Sequence, residues 1–100
     1  MSSAAENLAA EAKFKRSTSA IASELDDSVV MLDVEDGRYF GADGVGYRIW
    51  QLLASPSSLE ELVDRLCEEY EVSAQQCEAE VREYLTSLLK AGLIEEAAAA

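Results

Sequence analysis

Hydrophobic and polar residues alternate in two stretches of the first third of the chain, and this alternation predicts β-strands. Residues 28–34 (SVVMLDV) place three apolar side chains on one face, so they form the clearest predicted strand. Residues 18–25 (TSAIASEL) alternate more weakly, with Ile21 and Leu25 on the same side. The two predicted strands are joined by a short Asp-Asp-Ser turn.

A third strand is predicted after a hairpin turn. Residues 35–38 (EDGR) contain an Asp-Gly pair, which tolerates the positive φ of tight hairpins. Residues 38–42 (RYFGA) form the returning strand, and Gly41 is expected to weaken its continuation. Short turns between consecutive strands predict an antiparallel meander with residues 28–34 in the centre and the other two strands at the edges.

The second half of the chain changes to a helical period. Three helices are predicted, over residues 44–54, over residues 59–70, and from residue 74 to a stop at Gly92. Asp43 is a candidate N-cap of the first helix. Ser58 and Glu61 form a capping box before the second helix, and Ser73 and Gln76 form another before the third.

The order of the predicted elements is therefore three strands followed by three helices. This order predicts an α+β domain of winged-helix-like architecture, with a three-stranded antiparallel sheet followed by three helices. Residues 18–95 form this domain. Residues 1–17 are predicted to be a loose or weakly helical arm, and residues 96–100 a frayed tail.

The composition argues against catalytic, metal and cofactor chemistry. The chain of 100 residues has no histidine, no C-x-x-C motif and no phosphate-binding loop. Cys67 and Cys77 fall on apolar helical stripes, which favours packing over a disulfide or zinc site. No apolar run is long enough for a membrane span, and residues 1–16 do not resemble a secretory signal. We therefore expect a cytoplasmic protein that is not an enzyme and needs no cofactor.

The net charge of −12 is concentrated in the helical half, where residues 59–83 carry nine acidic and two basic side chains. Such a surface either keeps the chain in solution or attracts a basic partner. The exposed positions of the third helix include Glu78, Glu80, Arg82 and Glu83. Because a recognition helix that enters a DNA groove needs a basic stripe, we expect no nucleic-acid partner and no anionic membrane partner.

The third predicted strand is an edge, and its residues Arg38, Tyr39, Phe40 and Gly41 leave three interpretations open. Both aromatic side chains belong to the core, with the edge covered by the arm or helices. Alternatively, an extended peptide adds to the edge as a fourth strand, or the edge pairs with a second copy of the chain. The last helix suits a peptide groove because its apolar stripe is wide. The stripe comprises Cys77, Val81, Tyr84, Leu85, Leu88 and Leu89.

Three segments resemble the PqqD-like peptide-recognition domains, also called recognition elements for ribosomally synthesised and post-translationally modified peptides. The segments are VVMLDVEDGRYFGADGVGYRIWQLL (29–53), SLEELVDRLCEEYEVS (58–73) and VREYLTSLLKAGLIE (81–95). The resemblance covers roughly residues 18–95. With Ile-Trp in the first helix, the chain is most similar to the discrete recognition proteins of lasso-peptide biosynthesis. The separate peptide chaperone of pyrroloquinoline quinone biosynthesis is the next most similar.

The resemblance implies that the chain, as a monomer or weak dimer, binds the leader segment of a precursor peptide. It would then deliver the precursor to modifying enzymes, here a leader peptidase and a cyclase. In that family the leader docks as a strand on the third strand and against the last helix. The implied contact residues are Arg38, Tyr39, Phe40, Gly41, Cys77, Glu80, Val81, Tyr84 and Leu88. Glu80 would pair with a basic leader residue, whereas Tyr84 is either a pocket wall or part of the core.

Overall fold

The computed structural model describes residues 12–97, which form two small antiparallel sheets and three helices. The α+β class, one three-stranded meander and the three helices are as predicted. The strands are β1 (Lys13–Arg16), β2 (Ala20–Leu25), β3 (Ser28–Asp33), β4 (Arg38–Asp43), β5 (Ser57–Ser58) and β6 (Ile94–Glu96). The helices are α1 (Gly44–Leu52), α2 (Leu59–Glu69) and α3 (Ala74–Lys90).

The sheet β2-β3-β4 is the predicted meander, with β3 in the centre and β2 and β4 at its edges. The β2–β3 turn places Asp26 at φ 51°, and the β3–β4 loop places Gly37 at φ 69°. Gly41 does not weaken β4, contrary to prediction, because the strand continues to Asp43 in register with Ser28. Its φ is not positive and a side chain at this position would meet open space, so nothing in the local backbone ends the strand there.

The second sheet, β5-β1-β6, was not predicted. The prediction of a loose or weakly helical arm is wrong for residues 13–16, which form the central strand of this sheet. The predicted frayed tail is likewise wrong for Glu96, which pairs with Phe14 in β6. The remainder of the arm, residues 1–11, and residues 98–100 lie outside the described residues.

Strand β1 is held by one buried side chain and by one arginine. Phe14 is only 2% exposed and belongs to the core. Arg16 donates through Nε and Nη2 to the Trp50 carbonyl oxygen at 3.1 and 2.6 Å. Its guanidinium also lies 4.6 Å from the centre of the Trp50 ring, within cation–π range. Arg16 therefore ties β1 to the last turn of α1, where helix carbonyls lack partners within the helix.

The helix ends follow the capping signals with two differences. Ser58 and Glu61 form the complete capping box of α2. At α3 only half of the predicted box is present, because the Gln76 side chain donates to Glu80 instead of returning to Ser73. Asp43 occupies the N-cap position of α1 but makes no side-chain capping bond.

The C-terminus of α3 ends in a Schellman motif at the predicted glycine. Gly92 has φ 77°, its N–H donates to the Leu89 carbonyl, and the Leu93 N–H donates to the Leu88 carbonyl. This turn directs Leu93 and Ile94 back into the core, where both are buried. The core lies between the inner face of β2-β3-β4 and the three helices, and its largest fully buried side chains are Trp50, Met31, Leu53, Leu62, Leu66, Leu85, Leu88, Leu93 and Val29.

Candidate functional site

The outer edge of β4 has no neighbouring strand among residues 12–97. The Val34 N–H donates to the Ser19 carbonyl, in step with the β2–β3 pairs. Since the direction of backbone hydrogen bonds alternates along an antiparallel strand, the alternate β3 residues bond to β4. Their partners on β4 are Arg38, Phe40 and Ala42. The intervening residues Tyr39, Gly41 and Asp43 therefore direct their N–H and C=O groups outward, away from the sheet.

The two aromatic side chains of β4 point to opposite faces of the sheet. Phe40 is half-buried and packs against the core, whereas Tyr39 is 72% exposed. The interpretation in which both aromatic side chains belong to the core is therefore wrong. The edge combines an anchored strand with accessible backbone groups, which is what addition of another strand requires.

A groove lies between α1 and α3, and α2 with the segment after it closes one side. Its lining residues are Val45, Gly46, Ile49, Leu66, Tyr70, Val72, Cys77, Glu80, Val81 and Tyr84. We call it the α1–α3 groove. It encloses about 140 Å³. The lining is mostly apolar, and Glu80 is the only carboxylate in it, so the groove suits apolar side chains with one basic group beside them.

The groove is continuous with the end of β4 because α1 begins immediately after that strand. A side-chain Cβ at Gly46 would lie 3.2 Å from the Tyr84 hydroxyl and 3.3 Å from the Ala42 Cβ. The lack of a side chain at Gly46 thus allows α1, α3 and β4 to approach one another. The Tyr84 hydroxyl also donates a long hydrogen bond, 3.4 Å, to the Gly46 carbonyl oxygen.

Burial disfavours the ionised forms of two groups in the groove wall, the Tyr84 hydroxyl and the Cys77 thiol. Burial raises the pKa of Tyr84 to about 12. Burial, with a smaller contribution from the neighbouring Cys67 thiol, raises the pKa of Cys77. Both cysteines are free thiols, and a buried thiol of raised pKa is a poor nucleophile. Cys77 therefore contributes packing surface to the groove wall.

An ion pair connects α1 to α2 at one end of the groove. Arg48 of α1 donates through Nε and Nη2 to the two carboxylate oxygens of Glu69 on α2, each at 2.8 Å. This bidentate bond raises the pKa of Arg48 and lowers that of Glu69. The pair holds α1 against α2 next to Tyr70, which lines the groove.

The structure places most of the predicted helix residues in this groove but not all of them. Cys77, Glu80, Val81 and Tyr84 line it. Leu88 has no exposed surface and is a core residue, so its predicted contact role is corrected. It lies one turn beyond Tyr84, on the part of the stripe that faces the sheet and helices. The sequence pattern did not indicate the contributions of α1, of α2 and of the segment after α2, which are Val45, Gly46, Ile49, Leu66, Tyr70 and Val72.

Between residues 12 and 97, no helix combines the length and apolar character needed to cross a bilayer. No curated protein sequence matches the chain significantly. Two solved structures share the fold. One is described as TbiB1 in complex with the TbiA(beta) leader peptide and matches at 40% identity and a TM-score of 0.78, over 85% of this chain and 99% of that one.

The second structure is a lasso peptide synthetase B1 complexed with the leader peptide. It matches at 26% identity and a TM-score of 0.73, over 82% of this chain and 96% of that one. The model of the family described as coenzyme PQQ synthesis protein D (PqqD) matches residues 28–94, which span β3, β4, all three helices and the start of β6. The chain therefore belongs to the PqqD family.

Proposed function

We propose that this protein binds the leader segment of a ribosomally synthesised precursor peptide by strand addition to β4. The observation that carries the proposal is the unpaired β4 edge, which runs directly into an apolar groove. The proposal is supported by the two similar structures, each of which is described as a complex with a leader peptide. A second copy of the chain is a weaker occupant because of its net charge of −12.

In this mode the backbone supplies affinity and the groove supplies selectivity. Leader N–H and C=O groups pair with those of Tyr39 and Gly41, which face outward. Arg38 and Phe40 keep β4 in register with β3 and so present that edge. Apolar leader side chains enter the α1–α3 groove, and Glu80 pairs with a leader Lys or Arg at its rim.

We further propose that the protein acts by presentation rather than catalysis. It would hold the precursor in the cytoplasm for modifying enzymes, a leader peptidase and a cyclase, and would need no cofactor. The match to the PqqD family supports one alternative peptide ligand, a precursor of the pyrroloquinoline quinone type. Both precursors would bind at the same site. The affinities of the protein for the two peptides therefore decide between the alternatives.

The test is an NMR titration of the labelled protein with a synthetic leader peptide. We expect saturable amide shifts concentrated on residues 38–43, on the first turn of α1 and on residues 77–84. A leader of scrambled sequence is the control for nonspecific association. The absence of shifts, together with a concentration-dependent dimer mass, would contradict leader binding and indicate self-pairing of β4.

A further inference from the structure

The two cysteines of the chain meet across the hairpin that α2 and α3 form. Cys67 lies in the last turn of α2 and Cys77 in the first turn of α3, and residues 70–73 connect the two helices. The Cys67 side chain packs against the core cluster that contains Cys77, and the two thiols are in hydrogen-bonding contact. The chain has no other cysteine, so each thiol is the only intramolecular disulfide partner of the other.

The two thiols differ in their access to solvent. Cys67 is half-buried, whereas Cys77 is buried. A small oxidant in solution therefore reaches Cys67 first. Redox-sensing cysteines have this arrangement, in which an accessible thiol lies next to a second thiol that resolves the first oxidation product.

A bond between these two sulfur atoms would act on the α1–α3 groove. Cys77 lines the groove, and so do Tyr70 and Val72 in the segment after α2. A disulfide from residue 67 to residue 77 would close a ring that contains this whole segment. The segment has little other support, because the side chains of Tyr70 and Val72 are exposed. The bridge would therefore restrict the motion of one wall of the groove.

We infer that Cys67 and Cys77 are a redox-sensitive thiol pair, which a low-molecular-weight disulfide oxidises to an intramolecular bridge that stiffens the wall of the α1–α3 groove. The effect on leader affinity rests on the proposed function, whereas formation of the bridge does not. In the reduced state both cysteines keep the packing role that the sequence pattern predicts. Disulfides of this kind in cytosolic proteins are usually transient and redox-sensing.

The reaction is thiol–disulfide exchange in two steps, written here for oxidised glutathione. The Cys67 thiolate attacks one sulfur atom of the small disulfide, whose S–S bond breaks and releases one glutathione thiolate. The Cys77 sulfur, after losing its proton to solvent, attacks the Cys67 sulfur of the mixed disulfide and releases the second glutathione thiolate. The two released thiolates take up the two protons that the cysteines lost. The protein pair is thus oxidised by two electrons, and an excess of reduced glutathione reverses the reaction.

The test begins with incubation of the full chain with oxidised glutathione, followed by mass spectrometry. Trypsin leaves both cysteines in one peptide, residues 66–82, and the bridge lowers its mass by the two hydrogen atoms that the pair loses. Cleavage after glutamate cuts between the cysteines, at Glu68, Glu69 and Glu71, so the two fragments stay joined only where the bridge has formed. The melting temperature should rise by about 10 °C, because the bridge restricts the unfolded chain.

Leader affinity is then compared in the reduced and oxidised protein. We expect the oxidised form to bind about three- to tenfold more tightly, because its groove wall is ordered before the leader arrives. The matched control is Cys67→Ser, since Cys67 does not line the groove. This variant should bind leader like the reduced wild type, and the oxidant should change neither its affinity nor its melting temperature.

Two results would overturn the assignment of the thiol pair. One is oxidation that stops at a mixed disulfide on Cys67, and the other is a disulfide that joins two copies of the chain. A bridge that forms but leaves leader affinity unchanged would overturn its role in the groove. Failure of the reduced wild type to bind leader would instead contradict the proposed function, and the mapped bridge would distinguish that outcome.

Discussion

Two apolar, exposed surfaces of the protein, the α1–α3 groove and the outer sheet face, differ in shape and in what surrounds them. The outer sheet face is the side of β2-β3-β4 away from the core, and it carries Ile21, Leu25, Val30, Leu32, Val34 and Tyr39. The groove is concave, has walls from three helices and contains one carboxylate, Glu80. The outer sheet face is built from three strands, and its acidic groups stand only at its ends. A concave site selects individual side chains, whereas a sheet surface fits another folded surface.

The difference follows from the way in which β4 divides its groups between the core, the edge and the outer face of the sheet. The inner side chains of β4 hold the strand on the core, its backbone edge is open, and its outer side chain belongs to another surface. The alternation of a β-strand therefore separates core packing from the open edge and the outer face at single-residue spacing. Substitutions that affect one surface and spare the other are the direct way to test this separation.

The largest effect is expected from Tyr39→Pro, which removes an outward N–H and leaves the β3–β4 bonds intact. Loss of one leader hydrogen bond and the misfit of the ring at the edge should reduce leader affinity by on the order of 10- to 100-fold. Fluorescence anisotropy with a labelled leader measures the effect, and far-UV circular dichroism checks the fold. The partner variant Phe40→Pro should unfold the sheet instead, because its N–H faces β3. Wild-type leader affinity in the Tyr39 variant would rule out strand addition at β4.

The next largest effect is expected from substitution of a valine in the groove, compared with substitution of an equally exposed valine on the outer sheet face. Val45 in the groove is 43% exposed and Val30 on the outer sheet face is 41% exposed. Val45→Asp should lower leader affinity by about tenfold, because it places a charge where apolar leader groups bind. Val30→Asp should leave leader affinity unchanged. Calorimetric titration measures both, with melting temperatures as the check on folding. Equal losses in the two variants would mean that leader binding does not distinguish the surfaces.

A smaller effect is expected at the rim of the groove. Glu80→Lys should reduce affinity for a basic leader by up to about fivefold, since exposed ion pairs contribute little. The loss should shrink as salt is added. Glu83→Lys, on the same helix but outside the groove, carries the same charge change and is the control. A similar loss in both variants would assign the effect to overall charge rather than to Glu80.

The last prediction concerns stability rather than leader affinity, and it tests whether the groove wall at Tyr84 is desolvated. Its folded-state pKa is about 12, above the ordinary value of 10.0, so the unfolded state loses the proton first. The contribution of Tyr84 to the unfolding free energy should therefore be constant below pH 10 and fall as the pH rises from 10 towards 12. Tyr84→Phe should show a shallower fall in denaturant titrations over this range. An identical fall in the variant would show that the Tyr84 hydroxyl is accessible to solvent.

Local signals were enough to predict the meander and the helix ends. The Asp-Gly pair, the Ser58–Glu61 box and Gly92 each act through neighbouring backbone atoms, so sequence spacing reveals them. Strand β1 has no such signal, because Phe14 is its only buried side chain and its partners β5 and β6 lie far along the chain. Pairing across such distances depends on the packed core rather than on local pattern.

The site was predictable in part for the same reason. The apolar stripe of α3 showed which residues face inward, but it did not show where the core ends and the groove begins. Leu88 and Val81 share that stripe and are both buried, and only the packing of α1 and α2 decides that Val81 also borders the groove whereas Leu88 does not. The outward direction of Tyr39, by contrast, follows from the register of the hairpin.

The hydrogen bonds from Arg16 to the Trp50 carbonyl oxygen bear on where the chain can be shortened when the domain is transferred to another protein. The family-matched segment begins at residue 28, after both β1 and β2. A segment cut at that point would lose the central strand of the second sheet, the buried ring of Phe14 and the guanidinium that caps α1. The first turn of α1 lines the groove, so the cut would loosen the support of that site. A recognition module intended for fusion to another enzyme should therefore begin no later than Lys13.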